Sequence, residues 1–165
     1  MNNIIFIGMP AAGKSTIGVV AAKRLGYEFI DTDLLIQKKE KRLLKDIIDE
    51  KGIDGFLAIE DQVNSEVEAE NAVIAPGGSV VYCENAMRHY KEVGTVVYLQ
   101  TSYQTISGRI GDPKKRGVVL QDGQTLAGLY EERRALFEKY ADVTICEDGK
   151  TLEDTIEEVV ERFRR

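Results

Sequence analysis

The residues able to do chemistry fall in four short stretches. The first, Gly8-Met9-Pro10-Ala11-Ala12-Gly13-Lys14-Ser15-Thr16, has the spacing GxxxxGK[ST]. Such a loop turns its backbone N–H groups inward onto the phosphates of a bound nucleotide. Gly8 lets the chain leave a strand end, and a helix beginning at about Gly13 aims its positive end at the same anions. Lys14 would reach the β- and γ-phosphates, and Ser15 would give its hydroxyl to Mg²⁺. The flanks decide whether the spacing means this. An apolar run, Ile4-Ile5-Phe6-Ile7, precedes it, and Ile17, Val20, Ala21 and Leu25 follow at helical intervals.

The second stretch, Asp31-Thr32-Asp33, follows a short apolar strand and falls on the side of an open α/β sheet where a phosphate loop sits. The two carboxylates could serve a metal and a substrate separately, or either could cap the helix that begins Leu34-Leu35-Ile36. The third, Pro76-Gly77-Gly78-Ser79, closes another strand, and its glycine pair lets a ligand approach the main chain where side chains would block it. The fourth, residues 111–123, sets glycines and a proline around Lys114-Lys115-Arg116 and reads as a mobile lid carrying cations over the phosphates. Arg133 and Arg134 lie partway along a late helix. His89, the single histidine, excludes paired-imidazole chemistry and is expected at the surface.

The elements that must position these groups alternate. Strands are expected at 4–7, 28–30, 72–75, 95–99 and 143–146, with helices at 15–25, 84–92, about 102–110, 124–140 and through Ile156, Val159, Val160 and Phe163. Residues 34–70 read as consecutive helices broken near Gly52 to Gly55. Leu43, Leu44, Ile47 and Ile48 give one apolar face there, and Phe56, Ile59, Val63 and Val67 another. Lys38, Lys39, Lys41, Arg42 and Lys45 read as a solvated face. Near-continuously apolar strands between helices argue for a parallel sheet covered on both faces.

Composition narrows the function classes. A chain of 165 residues suits one domain, 1–165. The net charge of −6, without a long basic run, speaks against a nucleic-acid surface. No stretch approaches the roughly 18 apolar residues of a membrane span. Cys83 and Cys146 lack the spacing of a zinc site or disulfide framework, so both are expected as free thiols in a reducing, cytoplasmic compartment.

The order of these motifs resembles the shikimate kinase family, over almost the whole chain. The resemblance rests on residues 8–16, Asp31-Thr32-Asp33, the segment from Phe56 to Glu60, the run Val73 to Ser79, Arg116, and Arg133 followed by Tyr140-Ala141-Asp142. It implies a P-loop three-layer α/β/α fold with a five-stranded parallel sheet in the order 2-3-1-4-5, substrate-binding helices at about 31–60 and a lid at about 111–123. It also implies transfer of the γ-phosphoryl group of ATP, with Mg²⁺, to a ring hydroxyl of shikimate. In that picture Asp33 holds the accepting hydroxyl and Asp31 orders the metal through water. Arg116 closes on the phosphates, Arg109 lies against adenine, and Gly8, Ala11, Ala12, Gly13, Lys14, Ser15 and Thr16 hold the nucleotide. Gly77, Gly78, Ser79 and Arg133 bind the acceptor, Arg133 through its carboxylate. A single chain is expected to suffice.

Three positions depart from the family pattern. Leu57 stands where the family usually has arginine, Ser79 replaces the third loop glycine, and Ala11 replaces a frequent glycine of the phosphate loop. Losing one charge-assisted hydrogen bond without replacement would weaken binding of a carboxylate by about one to two orders of magnitude. The ATP side is nearly intact and the substrate-side departures fall on the acceptor. The leading expectation is therefore a kinase acting on shikimate. The alternatives are a kinase of the same type with another hydroxyl acceptor, and an ATP-binding module without catalysis.

Overall fold

The computed structural model describes residues 2–113, 118 and 120–164. Five parallel strands, β1 (Asn3–Ile7), β2 (Glu28–Asp31), β3 (Ala72–Ala75), β4 (Gly94–Gln100) and β5 (Val143–Cys146), form one sheet in the order β2-β3-β1-β4-β5. β1 is central, with Ile5 beside both Ile74 and Val96. All five of its residues are buried because both faces are covered, which is why its sequence is apolar without alternation.

Side chains nevertheless alternate between the faces. Ile4 and Phe6 pack with Val97, Leu99 and Ile145 beneath helices α1 (Lys14–Leu25) and, at the C-terminus, Leu152–Phe163. Ile5 and Ile7 point the other way, into the larger core with Tyr98 and Phe137, whose rings stack at 5.1 Å. That core is completed by the later helices introduced below. Asn3 ties the strand bases together: its Nδ2 donates to the carbonyls of Ala69 and Val93, and its Oδ1 accepts from the N–H of Ala72.

After β2 come α2 (Thr32–Glu40) and α3 (Leu44–Ser65), which form a third, smaller core of Ile36, Ile47, Phe56 and Val63. Gly52, at φ 72° and ψ 178°, kinks α3 within the expected break, a conformation that excludes most side chains. The helical stretch ends at Ser65 rather than near 70; Val67 is buried from the following turn, so burial extended the apolar pattern past the last helical hydrogen bond. Leu43 precedes the first turn of α3 and is 62% exposed, so it is not part of the apolar face expected of it. Val20 likewise stands at the surface of α1.

A short 3₁₀ turn, Gly78–Tyr82, connects β3 to α4 (Glu84–Val93), and α5 (Tyr103–Ile110) and α6 (Leu126–Tyr140) follow β4. The chain closes with α7 (Leu152–Phe163), held at its start by reciprocal hydrogen bonds between Thr151 and Asp154. His89, expected at the surface, is half-buried, with its Nε2 2.6 Å from the carbonyl of Val67. Both cysteines are free thiols. Among the described residues no helix is long and apolar enough to cross a membrane.

Candidate active site

The C-terminal ends of β1, β2 and β3 meet at one cavity of about 1070 Å³, walled also by α3, α6 and the loop before α6. Open parallel sheets bind ligands at this end because the strands release their loops there. Lys14, Ser15, Thr16, Asp31, Asp33, Gly77, Gly78, Ser79 and Arg133, expected from distant parts of the sequence, all line it.

The phosphate loop forms one wall. Ala11 and Gly13 adopt positive φ, 69° and 86°, which turns the chain back toward the first turn of α1. The N–H of Ala12 donates to the carbonyl of Met9, while the Nζ of Lys14 donates to the carbonyls of Gly8 and Met9 at 2.8 and 2.9 Å. The lysine is thus folded across its own loop with its ammonium at the loop centre. Burial lowers its pKa to about 8, with Asp33 opposing the shift. Gly8 and Ala12 shape the loop from behind and do not reach the cavity wall. Arg109 donates from Nη1 to the carbonyl of Ala11, 2.9 Å away, so it buttresses the outer side of the loop.

Asp31 and Asp33 divide their work. Asp31 Oδ1 accepts from the N–H groups of Asp33 and Leu34, so it caps α2 while still lining the cavity. That leaves Asp33 on the first turn of the helix. Burial raises its carboxyl to about 6, with Asp31 adding to the rise and Lys14 opposing it. Gly77 packs against it: a Cβ on Gly77 would stand 3.0 Å from Asp33 Oδ1 and 3.2 Å from Glu60 Oε2. A Cβ on Gly78 would meet Arg133 Nη1 and Pro10 Cδ, each at 3.0 Å. The two glycines therefore let two carboxylates and a guanidinium converge on one loop.

Arg133 is buried in α6, and its guanidinium lies 5.5 Å from the centre of the Tyr82 ring. Its Nε has no hydrogen-bond partner among the described residues, so part of a buried cation's donor set is left for a ligand. Arg134 faces away and pairs with Glu131 and Glu138 on the surface. Leu57 lines the cavity beside Phe56, Ile48 and Ile53, an apolar part of the α3 wall. Lys45, exposed at the rim, is the one residue of the lysine-rich stretch on the cavity lining.

Several residues on the cavity wall, and one buried behind it, went unassigned in the sequence. Glu60 is fully buried behind the glycine loop and accepts a hydrogen bond from Ser79 Oγ at 2.7 Å. Its signal was a charged residue on a helix face shared with Phe56, Val63 and Asn64, all buried. Tyr82 and Glu132, whose side chains bond to each other at 2.5 Å, also line the cavity. Of the expected lid, Val118 and Leu120 lie on the cavity wall, whereas Arg116 falls outside the described residues.

A hydroxyl from Ser15 and a carboxylate from Asp31 on one wall are hard oxygen donors of the kind Mg²⁺ takes. Among the described residues no group of three His, Cys, Asp or Glu could hold a metal, so protein side chains would supply a minority of its ligands. This suits Mg²⁺, which keeps waters and shares phosphate oxygens.

Known proteins resemble this chain in sequence and fold. The family model for shikimate kinase matches residues 10–164. A shikimate kinase of Sulfurihydrogenibium sp. is 33% identical over 166 aligned positions, covering 100% of this chain and 99% of that protein. One from Persephonella marina is 32% identical, covering 99% and 100%. Among solved structures, shikimate kinase from Acinetobacter baumannii in complex with shikimate superposes with a TM-score of 0.88 at 28% identity, covering 98% of this chain and 92% of that one.

Proposed function

This chain belongs to the shikimate kinase family of phosphotransferases with alcohol acceptors, and on that premise we propose that it transfers the γ-phosphoryl group of ATP to a ring hydroxyl of shikimate. The observation that carries the reading is the convergence of Asp33, the Gly77-Gly78 pair and Arg133 on the cavity that the phosphate loop opens into. A nucleotide-binding module without catalysis has no use for an acceptor-side carboxylate and buried arginine.

Each group has a task set by its position. The phosphate loop and α1 hold the β- and γ-phosphates, with Lys14 exchanging its loop carbonyls for phosphate oxygens. Arg133 takes the acceptor's carboxylate through charge-assisted hydrogen bonds, and Gly77 and Gly78 let the ring lie close to the main chain. Asp33 accepts the hydrogen bond of the reacting hydroxyl and aligns its oxygen with the γ-phosphorus. Its raised pKa makes it a better proton acceptor than an ordinary aspartate. Ser15 and Asp31 would hold Mg²⁺, which when bound neutralises charge on the phosphates. Arg116 would add a cation from the lid, and Arg109 supports the adenine side of the loop.

The reading includes a single chain working in the cytoplasm. Phosphorus NMR of the reaction mixture tests the assignment. A new phosphate monoester on shikimate is expected beside ADP; inorganic phosphate alone would contradict the transfer.

A further inference from the structure

Glu60 is a buried acid with an unusual set of neighbours. Oε1 accepts from Ser79 Oγ at 2.7 Å and lies 3.7 Å from Cys83 Sγ, while Oε2 has no hydrogen-bond partner among the described residues. Among the described residues no lysine or arginine is ion-paired with it. Leu57 stands three residues earlier on α3, where a side chain faces the residue one turn on. An arginine at 57, the residue of the family pattern, would lie beside Glu60 and pair with it. Ser79 replaces a glycine that could offer no hydroxyl.

We propose that Leu57 and Ser79 are two halves of one exchange, in which the Ser79 hydroxyl takes over from an arginine as the partner of Glu60, and Glu60 in its neutral form positions the 77–79 loop. Local charge supports this. Removing one cation and neutralising one anion together leave the balance of the acceptor site unchanged, with Arg133 opposing Asp33. An ionised Glu60 without the arginine would set two carboxylates against one guanidinium and repel an anionic acceptor. The groups facing Glu60 are Asp33 from α2, Arg133 from α6, Tyr90 from α4, and Ser79 and Cys83 from the turn between. Burial pushes its carboxyl up to about 7; the Ser79 hydrogen bond opposes the rise, Asp33 adds to it and Arg133 opposes it.

The inference rests on a carboxylate-bearing acceptor, and its test separates the two ideas. Kinetics with shikimate are measured for wild type, Leu57→Arg, Ser79→Gly and the double variant. Ser79→Gly alone is expected to raise the shikimate KM about tenfold, the loss of one hydrogen bond. In the Leu57→Arg background the same change is expected to cost less than threefold; equal effects in both backgrounds overturn the coupling. Glu60→Gln, which keeps a neutral hydrogen-bonding end, should bind shikimate at least tenfold more tightly than Glu60→Ala. The shikimate KM of wild type should rise between pH 6 and 8 relative to that of Glu60→Gln. Glutamine no better than alanine, or parallel pH profiles, would refute a neutral Glu60.

Stability supplies a readout independent of acceptor. A carboxyl raised from its ordinary 4.5 to about 7 contributes stability that is complete below 4.5 and lost as pH climbs through 7. The melting temperature of wild type should therefore fall relative to Glu60→Gln across that interval, and not do so in the double variant. Parallel curves for wild type and Glu60→Gln refute the inference even if shikimate is phosphorylated. Absent shikimate turnover with diverging curves refutes only the acceptor.

Discussion

Gly77→Ala puts one methyl group into the acceptor site and nothing else. The glycine sits at φ −64° and ψ 160°, extended backbone that alanine adopts freely, so the substitution brings no strain of its own. Its Cβ would stand 3.0 and 3.4 Å from the two Asp33 oxygens and 3.2 Å from Glu60 Oε2. Comfortable contact requires roughly 3.5 Å, so Asp33 must retreat by about half an ångström or rotate away. A misplacement of about 1 Å in a reacting group costs on the order of a hundredfold in rate, so a retreat of this size predicts a ten- to hundredfold fall in kcat, or about 1.4–2.7 kcal/mol of barrier. The nucleotide wall is untouched. Steady-state kinetics with nucleotide titration and a melting curve should therefore show low kcat, unchanged nucleotide affinity and a melting temperature within a few degrees of wild type. An unaltered kcat would mean that Asp33 does not hold the reacting hydroxyl. A parallel loss of nucleotide binding would make the glycine pair part of the overall framework.

Three further substitutions probe separate parts. Lys14→Ala removes the ammonium at the centre of the phosphate loop and should lower kcat at least a hundredfold, as loss of a charge-stabilising donor does; ADP release near the wild-type rate would count against the whole assignment. Arg133→Met keeps a long stem but loses the charge, and should raise the shikimate KM ten- to a hundredfold, corresponding to about 1.4–2.7 kcal/mol, with nucleotide affinity preserved in equilibrium titration. Phe137→Ala empties a fully buried site stacked on Tyr98 and should lower unfolding stability in denaturant by about 3–5 kcal/mol. A loss under 1 kcal/mol would mean that the core collapses around the gap.

Much of the nucleotide side could be read in the sequence because it is local. The phosphate loop needs strand, glycines, lysine and helix in immediate succession, and β1 and α1 supply them around Gly8 to Ser15. The sheet order followed from resemblance, and the alternation of apolar strands with helices supported it. What escaped was set by contacts between distant residues. Arg109 meets the Ala11 carbonyl across 98 positions, and no local pattern announces that. Asp31 was legible as either cap or ligand, and the structure shows the cap through Oδ1 while the carboxylate still lines the cavity. Leu43 and Val67 misled for one reason: an apolar residue next to a helix continues its periodicity in sequence whether or not the backbone does. Glu60 was visible as a charge on a buried face, but its link to Ser79 required the β3 loop to be laid against α3.

The most direct measurement is the initial rate of ADP release with MgATP, with and without shikimate, from micromolar into millimolar concentrations. Saturable, shikimate-dependent release is expected at a rate far above the background ATPase, because Arg133, the 77–79 loop and Asp33 together hold the acceptor. ADP release indifferent to shikimate at every concentration, from a protein that binds ATP, would contradict this and leave the phosphate loop serving another acceptor.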